Sequence, residues 1–256
     1  MKKILVTRPV HQSENLCMLI EQQGWQAIRF PVIDIQPRLL STRDEERIQH
    51  IAQYQFIFFV SANAVNFALQ LFNGKIHKSI RKVSCIAVGK ATYKALSDAG
   101  IRNVLLPGQG TDTEAMLAMP QLQNLNKCSC LIIRGEGGRE LLADSLRERG
   151  ATVEYLEVYK RVSPCNDTRQ IKTYLLDKSL SAVVIYSGDA LRNLVRMFDK
   201  QDIKQNLLNV SLVVISKRVY EIAKNIGFTK IIIADHASDS AMINALLNGE
   251  ECGRSN

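Results

Sequence analysis

The sequence predicts two α/β domains, each built on a parallel β-sheet with helices on both faces. Strand and helix patterns alternate along all 256 residues, as in chains of βαβ units. Ile57–Phe72 reads like Val183–Phe198, about 126 residues later, so the chain looks duplicated. Phe56–Val60 is a continuous apolar run, typical of a strand buried on both faces of a sheet. Five strands and about five helices per copy suit a flavodoxin-like order.

The N-terminal βαβ unit is predicted from periodicity and end signals. Lys3–Thr7 is expected to be a strand, Ser13–Gln23 a helix ended by Gly24, and Gln26–Phe30 a second strand. The same design recurs around Leu131–Tyr159, where a short apolar run, a charged Gly-rich turn, a helix pattern and a β-rich run follow one another. A second βαβ unit is therefore predicted there.

Two connectors interrupt this alternation. Pro31 and Pro37 bracket a short β-like run, Val32–Ile35, and the repeat matches it to LEVYKRVSP, which ends at Pro164. We expect the two runs to pair as a short ladder between domains. Thr42 then opens a helix to about Gln53, with acidic residues near its N-terminus.

The repeat also pairs charged and hydroxyl-bearing residues. Arg8 matches Arg134, and Glu14 matches Glu140. Before the last helix of each half, three small or acidic residues correspond: Thr111, Asp112 and Thr113 with Ser238, Asp239 and Ser240.

Composition excludes several classes of protein. No apolar run reaches the length of a membrane span or a signal-peptide core, so we expect a soluble cytoplasmic protein. The six cysteines and four histidines lack metal-ligand spacing, which favours reduced structural thiols and surface histidines. The net charge of +8 favours an anionic partner. No aromatic row accompanies the basic residues, so nucleic acid is disfavoured.

Candidate binding residues lie where predicted strands turn into helices. Ligands of parallel α/β sheets bind beyond the carboxyl ends of strands, where helix N-termini present unpaired N–H groups to anions. The loops are small, rich in hydroxyl groups and flanked by cations. The candidates are Arg8, Ser61, Ala62, Asn63, Thr92, Arg134, Ser187, Ser216 and Lys217.

Each candidate also has a plain structural interpretation. Ser61, Ser187, Ser216 and Thr92 are of the residue types that cap helices without binding a ligand. Arg8 and Arg134 are equally consistent with solvent-facing charges. The loop RGEGGRE (residues 134–140) lacks the spacing of a phosphate or dinucleotide loop, so a capped turn is predicted there. Tyr159, in the second connector, is either a phenol that faces a ligand or a packed aromatic residue.

Several segments together resemble the uroporphyrinogen-III synthase (HemD) family. They are ILVTRP, FVSANAV, AVGKAT, LIIRGEGGRELLADSLRERGA, LEVYKR and ASDSAMINAL, and the resemblance covers essentially the whole chain. It implies two HemD-like domains joined by a two-stranded β linker, with an active site in the cleft between them. Domain 1 would combine residues 1–35 with 165–256, domain 2 would span 38–162, and the linkers would lie near 32–37 and 158–164.

The resemblance also implies a chemistry without cofactor or metal. The substrate would be hydroxymethylbilane, an open-chain tetrapyrrole with eight carboxylates, which is cyclised to uroporphyrinogen III with inversion of ring D and loss of water. Such a lyase mainly positions its substrate. The implied partners are this small molecule and, transiently, hydroxymethylbilane synthase, with no nucleic acid or membrane, and the protein would be a monomer.

Residue roles carried over from the family are few. Tyr159 matches the linker tyrosine, the candidate to assist departure of the substrate hydroxyl. Thr92, Ser187 and the Ser61 turn match substrate-binding turns. Many members have a Gly- and Thr-containing turn where this chain has Ser216 and Lys217, so a cation replaces hydroxyl chemistry there.

Two other functions fit the same pattern. A two-lobed binding protein for an anionic small molecule would close on its ligand without turnover. A nucleotide-dependent transferase is disfavoured because the phosphate fingerprint is missing.

Overall fold

The computed structural model describes residues 1–74, 76–108, 113–138 and 140–251, without the side chains of residues 113 and 249–251. Thr111, Asp112, Arg139 and Cys252 therefore lie outside the described residues. The elements in chain order are β1 Lys3–Val6, α1 Val10–Gln22, β2 Gln26–Arg29, β3 Asp34–Pro37, α2 Thr42–Gln49, β4 Phe56–Phe59, α3 Ala62–Leu71, α4 Ile76–Ser79, β5 Ser84–Ala87, α5 Lys90–Asp98, β6 Val104–Leu105, α6 Thr113–Leu117, β7 Ser129–Gly135, α7 Leu141–Glu148, β8 Thr152–Val162, α8 Arg169–Leu176, β9 Leu180–Ile185, α9 Gly188–Met197, α10 Gln201–Leu208, β10 Ser211–Val214, α11 Lys217–Ile226, β11 Ile231–Ile233 and α12 Asp239–Glu251. Short 3₁₀ helices cover Ile51–Gln53 and Pro120–Leu122.

The chain divides into two compact units. The first unit consists of Met1–Asp34 and the residues from Val162 onward, and the second is Ile35–Arg161. We call them the outer and the central unit after their positions along the chain. The predicted two-stranded linker between domains stays a prediction. Within the six-stranded sheet, β3 lies beside β8.

The outer unit contains a five-stranded sheet in the order β2-β1-β9-β10-β11, with every described pair parallel. The strand order is that of a flavodoxin-like sheet. Leu5 packs in a core on one face, whereas Ile4 and Val6 pack in a second core on the other. Successive side chains of a strand point to opposite faces, so these short apolar strands serve both cores.

The central unit repeats this arrangement with a permuted chain order. Its sheet runs β3-β8-β7-β4-β5-β6, and the described pairs from β8 to β6 are parallel. Ile57 and Phe59 pack on one face and Phe58 on the other, which confirms the predicted doubly buried strand. The predicted α/β class with two parallel-sheet units is confirmed.

Some element boundaries differ from the predictions. The first helix begins at Val10 instead of Ser13, because Pro9, with φ −49°, suits the start of a helix and Ser13 is buried inside it, donating its hydroxyl to the Val10 carbonyl. The predicted strand Val32–Ile35 lies two residues later, at Asp34–Pro37, because Val32 is buried in the outer core instead.

Candidate active site

The carboxyl ends of the strands define a candidate site in each unit. In the outer unit, α1 packs Leu16 on the face of Ile4, whereas α9 packs Leu191 on the face of Leu5. The chain thus turns to opposite faces after the neighbouring strands β1 and β9. Ligands of open α/β sheets bind at such a point.

The central unit has the same switch point between β7 and β4. Helix α7 packs Leu142 and Leu146 on the face of Phe58, whereas α3 packs Val65 on the face of Ile57. The residues that follow these two strands are therefore the central unit's candidate site.

Three predicted serines begin helices in nearly the same conformation. Ser61, Ser187 and Ser216 precede α3, α9 and α11, with φ between −158° and −164°. Each side chain accepts a hydrogen bond from the backbone N–H three residues later, at 3.1, 3.1 and 3.4 Å. The cap interpretation is confirmed for all three. A cap satisfies one N–H of the first turn, and the helix dipole remains available to an anion.

Thr92 is not a cap. Helix α5 begins after Gly89, whose conformation matches that of the serines, and Thr92 lies in the first turn with 4% of its surface exposed. Gly89 occupies the repeat position of Ser216. The fourth loop therefore lacks a side-chain cap, and Thr92 is a buried residue of the first helical turn.

The remaining predicted turn residues occupy helix starts. Ala62 and Asn63 are the first two residues of α3 and are half-buried. Lys217 is the first residue of α11 and is exposed. Its ammonium group is a mobile cation beside a helix N-terminus, where both attract negative charge.

Arg8 is bound to protein groups at the end of β1. Its Nη1 lies 2.9 Å from Asp239 Oδ1, and its guanidinium carbon lies 4.2 Å from the centre of the Tyr186 ring. The Tyr186 hydroxyl and Asn15 also donate to the Asp239 carboxylate. We call Arg8, Asn15, Tyr186 and Asp239 the Arg8 cluster. Because one carboxylate accepts from three side chains, Arg8 is an organised part of the turn.

Arg134 has a similar environment at the end of β7. It is 9% exposed and lies 3.0 Å from Glu140 and 3.2 Å from Glu157, with its guanidinium carbon 3.8 Å from the centre of the Tyr155 ring. The Tyr155 hydroxyl donates to Glu140. We call Arg134, Glu140, Tyr155 and Glu157 the Arg134 cluster. The solvent-facing interpretation of Arg134 is wrong, because two carboxylates compensate the buried charge.

Both phenols in these clusters remain protonated donors at neutral pH. Burial, followed by the hydrogen bond to Glu140, raises the pKa of Tyr155 to about 12. Burial and the bond to Asp239 likewise raise the pKa of Tyr186. The bonds from Tyr155 and Arg134 lower the pKa of the Glu140 carboxyl. The Glu140 carboxylate therefore stays ionised and holds Arg134 in place.

Tyr159 is a packed aromatic residue whose hydroxyl is nevertheless at the candidate site. It is 1% exposed, and its ring stacks on Phe67 with 5.5 Å between centres. Its hydroxyl lies 3.3 Å from Ser61 Oγ and accepts a 3.3 Å hydrogen bond from Arg161. We call Ser61, Phe67, Tyr159 and Arg161 the Tyr159 cluster. It brings two predicted site residues together beside the N-terminus of α3.

Gly135 makes room for this tyrosine. The register of β7 against β8 shifts between Arg134 and Gly135, so Gly135 lies opposite Tyr159. A Cβ atom on Gly135 would lie 2.4 Å from Cε2 of the Tyr159 ring, closer than carbon atoms can approach. Only glycine fits at this position without moving the tyrosine.

The Gly-rich turn after Gly135 is not capped by a side chain. Glu140 precedes α7 and makes no capping hydrogen bond, so the predicted capped turn is wrong. The Glu140 carboxylate instead binds Arg134 and Tyr155. The backbone N–H of Gly137 donates to Glu157, so this loop also serves the Arg134 cluster.

Cysteine and metal chemistry are not supported by the described residues. Cys17, Cys85, Cys128, Cys130 and Cys165 are free thiols. Burial raises the pKa of Cys85 and Cys130 to about 12, which keeps both unreactive. No group of three or more His, Cys, Asp or Glu side chains that could bind a metal occurs in the part of the chain that is described. Within the same residues, no helix has the length and apolarity needed to cross a bilayer.

Sequence reasoning missed the residues that organise the arginines. Tyr186 in the outer unit, and Tyr155 and Glu157 in the central unit, were not singled out, and Asp239 was noted only as part of the repeat. Tyr186 directly follows β9 and precedes the cap Ser187, so its position at a strand end was an available signal. Tyr155 and Glu157 are half-buried residues inside the long strand β8 and carry no such signal.

Known proteins match this chain over nearly its full length. A sequence model of the family described as uroporphyrinogen-III synthase HemD matches residues 14–244. The uroporphyrinogen-III synthase of Escherichia coli K12 is 31% identical over 243 residues, covering 95% of this chain and 99% of the relative. That of Salmonella typhimurium is 30% identical over 248 residues, with the same coverage of 95% and 99%.

Two solved structures share the fold. A mutant uroporphyrinogen III synthase of Thermus thermophilus superposes with a TM-score of 0.67 at 15% identity, covering 98% of this chain and 100% of that one. The uroporphyrinogen-III synthetase of Helicobacter pylori gives 0.63 at 17% identity, covering 97% and 99%. At these identities the likeness supports the fold alone.

The two parallel α/β units, with helix N-termini at their switch points, place the protein in the class of α/β proteins whose strand ends suit anionic ligands. The matches narrow this class further. The chain belongs to the uroporphyrinogen-III synthase (HemD) family, and the enzyme is a lyase of tetrapyrrole biosynthesis. These matches favour the synthase over the two-lobed binding protein and the nucleotide-dependent transferase.

Proposed function

We propose that the protein cyclises hydroxymethylbilane to uroporphyrinogen III, inverting ring D and releasing one water. The observation that carries the proposal is the family match over residues 14–244. The loops at the strand ends suit this substrate, because its carboxylates need several anion-binding groups that do not react with it. Helix N-termini and cations are such groups.

The carboxylates of the substrate are bound by the starts of α3, α5, α9 and α11. Each begins after a short loop in an extended conformation, and Ser61, Ser187 and Ser216 fix three of these loops through their caps. Ala62 and Asn63 begin α3, and Lys217 adds a positive charge at α11. Substrate binding at these turns is a positioning function, since it holds the flexible tetrapyrrole in the folded pose that ring closure needs.

Arg8 and Arg134 shape the turns in this proposal. Each is already paired with a carboxylate of its own unit, at 2.9 and 3.0 Å. The pairing fixes the positive charge near the strand ends without leaving a mobile side chain. Because these carboxylates compensate the arginine charges, the attraction and the direct hydrogen bonds to the substrate carboxylates come from the helix starts and from Lys217. Thr92, being buried, supports the start of α5 from within.

Tyr159 assists departure of the substrate hydroxyl as a hydrogen-bond donor. Its own hydroxyl lies beside Ser61 and Arg161 at the start of α3. Arg161 donates to the phenol oxygen, so the phenol's own O–H can point to a neighbouring acceptor such as the departing hydroxyl. Because Tyr159 is 1% exposed, substrate binding has to displace Arg161 or Ser61 from the hydroxyl.

The test supplies hydroxymethylbilane to the purified protein and identifies the ring isomer by chromatography of the oxidised product. The type III isomer is expected, and formation of only the spontaneous type I isomer by folded protein would contradict the proposal. The Tyr159→Phe variant keeps the ring on Phe67 and removes only the hydroxyl. It should lower kcat with little change in stability, whereas an unchanged kcat would exclude the role proposed for Tyr159.

We further propose that the protein acts as a cytoplasmic monomer that receives its substrate through transient contact with hydroxymethylbilane synthase. The support is chemical, because free hydroxymethylbilane closes spontaneously to the wrong isomer and rapid transfer limits this loss. Sedimentation of the protein alone and mixed with that synthase tests both statements. A stable dimer would contradict the first statement. The second would be contradicted if, in a coupled reaction, the yield of the type III isomer did not rise with the concentrations of the two enzymes.

A further inference from the structure

A separate cavity lies in the central unit, away from the candidate active site. Its volume is about 490 Å³, within the range of pockets that bind small molecules. The lining residues come from α4, the connection to β5 and the turn between α5 and β6: His77, Lys78, Ile80, Arg81, Gly100, Ile101, Arg102 and Asn103.

This cavity is at the opposite edge of the sheet from the candidate site. Its residues precede β5 and β6, whereas the caps and the Tyr159 cluster follow the carboxyl ends of their strands. Strands β4, β5 and β6 are parallel, so their amino ends share one edge. The cavity and the proposed active site are therefore separate.

The lining carries positive charge and no negative charge. Lys78, Arg81 and Arg102 line the cavity together with His77, and no Asp or Glu is among the lining residues. Within the described residues, these three cations form no ion pair. They differ in this respect from Arg8 and Arg134, which are both paired. Uncompensated cations around one cavity attract an anion.

His77 supplies an independent observation. Its Nδ1 atom is buried and has no hydrogen-bond partner in the described structure. A buried polar atom without a partner is costly, so such atoms are rare in native proteins. His77 lines the cavity, so a turn of its ring towards a bound anion would let an Nδ1–H group donate a hydrogen bond to it and remove that cost. Ile80 and Ile101, both buried, give the cavity an apolar part as well.

We propose that this cavity binds a small molecule carrying a phosphate or carboxylate group, with Arg81 and Arg102 as charged donors and His77 as the buried donor. Arginine suits such a group because its planar guanidinium can donate two parallel hydrogen bonds to it. The cavity is at the opposite edge of the sheet from the caps, so its ligand is not the substrate bound at the candidate site.

The test measures binding by calorimetry, with pyrophosphate as the phosphate probe and citrate as the carboxylate probe, both at constant ionic strength. Saturable binding of one ligand per chain is expected for at least one probe, and the probe that binds identifies the chemical class. Binding of neither probe would overturn the proposal.

Variants distinguish the cavity from the general positive charge of the protein. Arg102→Gln should weaken binding about tenfold, the scale of a charged hydrogen bond, and Arg81→Gln combined with it should abolish binding. The matched control is Arg196→Gln, an exposed arginine of α9 with the same loss of charge, which should bind normally. Equal weakening in the control would overturn the proposal.

His77→Phe separates ligand binding from folding. Because Nδ1 has no partner in the described structure, the variant should keep or raise the melting temperature of the free protein while weakening binding about tenfold. Unchanged binding in a folded variant would exclude His77 as a donor. All variants should retain synthase activity, so failure of the proposed function and failure of this inference are read from different measurements.

Discussion

The Arg8 and Arg134 clusters each hold an arginine at a strand end, but with different arrangements of partners. Both place an arginine at the end of the first strand of a repeat, stack it on a tyrosine and pair it with a carboxylate. In the Arg8 cluster one carboxylate, Asp239, accepts from three side chains. In the Arg134 cluster one arginine donates to two carboxylates. The repeat thus preserves the cation and its chemistry, whereas the partners come from different elements.

This difference in partners predicts different contributions of the two arginines to the free energy of unfolding. Arg134 has an 11% exposed side chain, and Arg8 has a 24% exposed one. Removing Arg134 takes a shared cation from two carboxylates, Glu140 and Glu157, and leaves Glu157 with only a longer 3.7 Å contact to Arg38. Removing Arg8 leaves Asp239 with donors from Tyr186 and Asn15. The same substitution should therefore cost more in the central unit.

The largest expected effect follows from this contrast. Arg134→Met should lower the free energy of unfolding by about 3 kcal/mol, the scale of a broken buried ion pair, and Arg8→Met by about 1 kcal/mol. Chemical denaturation of both variants measures the difference. Arg169→Met, in a fully exposed pair, is the control and should match the parent protein. Equal losses of unfolding free energy in the Arg8 and Arg134 variants would contradict the predicted difference between the two clusters.

The next largest effect concerns Tyr159, which packs against Gly135 at the end of β7 in the central unit. Gly135→Ala places a Cβ 2.4 Å from the Tyr159 ring and should cost about 2 kcal/mol of stability, with a loss of turnover as Tyr159 moves. Gly108→Ala is the control, because its Cβ would meet no atom within 4 Å. Parent-like stability and turnover in Gly135→Ala would show that the strand end adapts.

A smaller effect separates the two phenols. Tyr186→Phe should cost about 1.5 kcal/mol, because Asp239 is largely buried and loses a donor. Tyr155→Phe should cost about 0.5 kcal/mol, because the half-exposed Glu140 can bind water instead. Thermal unfolding of both variants tests the order. A reversed order would mean that exposure of the carboxylate does not determine the cost.

The smallest expected effect is a pH-dependent contribution of Asp44 to stability. Arg38 links Asp44 to the Arg134 cluster, because it bridges Asp44 and Glu157. Burial of Asp44 acts to raise the pKa of its carboxyl, but hydrogen bonds from Ser41 and Arg38 outweigh burial and lower the pKa below the ordinary 3.8. A depressed folded-state pKa stabilises the protein above the ordinary value, and this stability is lost as the pH falls through the folded-state pKa.

Asp44→Asn should accordingly be less stable than the parent protein by under about 1 kcal/mol at neutral pH, with the difference shrinking below a pH of about 4. Denaturation curves of both proteins over a series of pH values test this. A difference that stays constant into acid would show that the loss comes from the amide itself and not from the charge.

Local features of this protein were predictable from the sequence because their causes are local. Ser61, Ser187 and Ser216 cap helices through a hydrogen bond to a residue three positions later, so their role is set within one turn. Thr92 shows the limit of the same reasoning. Its helix starts two residues earlier, at Lys90, with Gly89 at the cap position, so a plausible cap residue is instead a buried one.

Long-range partners were not predictable. Arg8 was singled out as a cation at a strand end, but Asp239 lies far along the chain and reaches it only because α12 packs against α1. The burial of Tyr159 depends on a register shift between β7 and β8 and on the missing side chain of Gly135. The sequence pattern of a single helix or strand therefore predicts neither the Arg8–Asp239 pair nor the burial of Tyr159.

The sequence by itself determined the duplicated α/β plan, the doubly buried strand β4 and the three serine-capped helix starts, because apolar periodicity and cap chemistry act over a few neighbouring residues. The tertiary structure alone decided which carboxylate holds each arginine, and that the Tyr159 hydroxyl meets Ser61 and Arg161. Those outcomes depend on the packing of helices and the register of strands, which bring together residues that are distant in the chain.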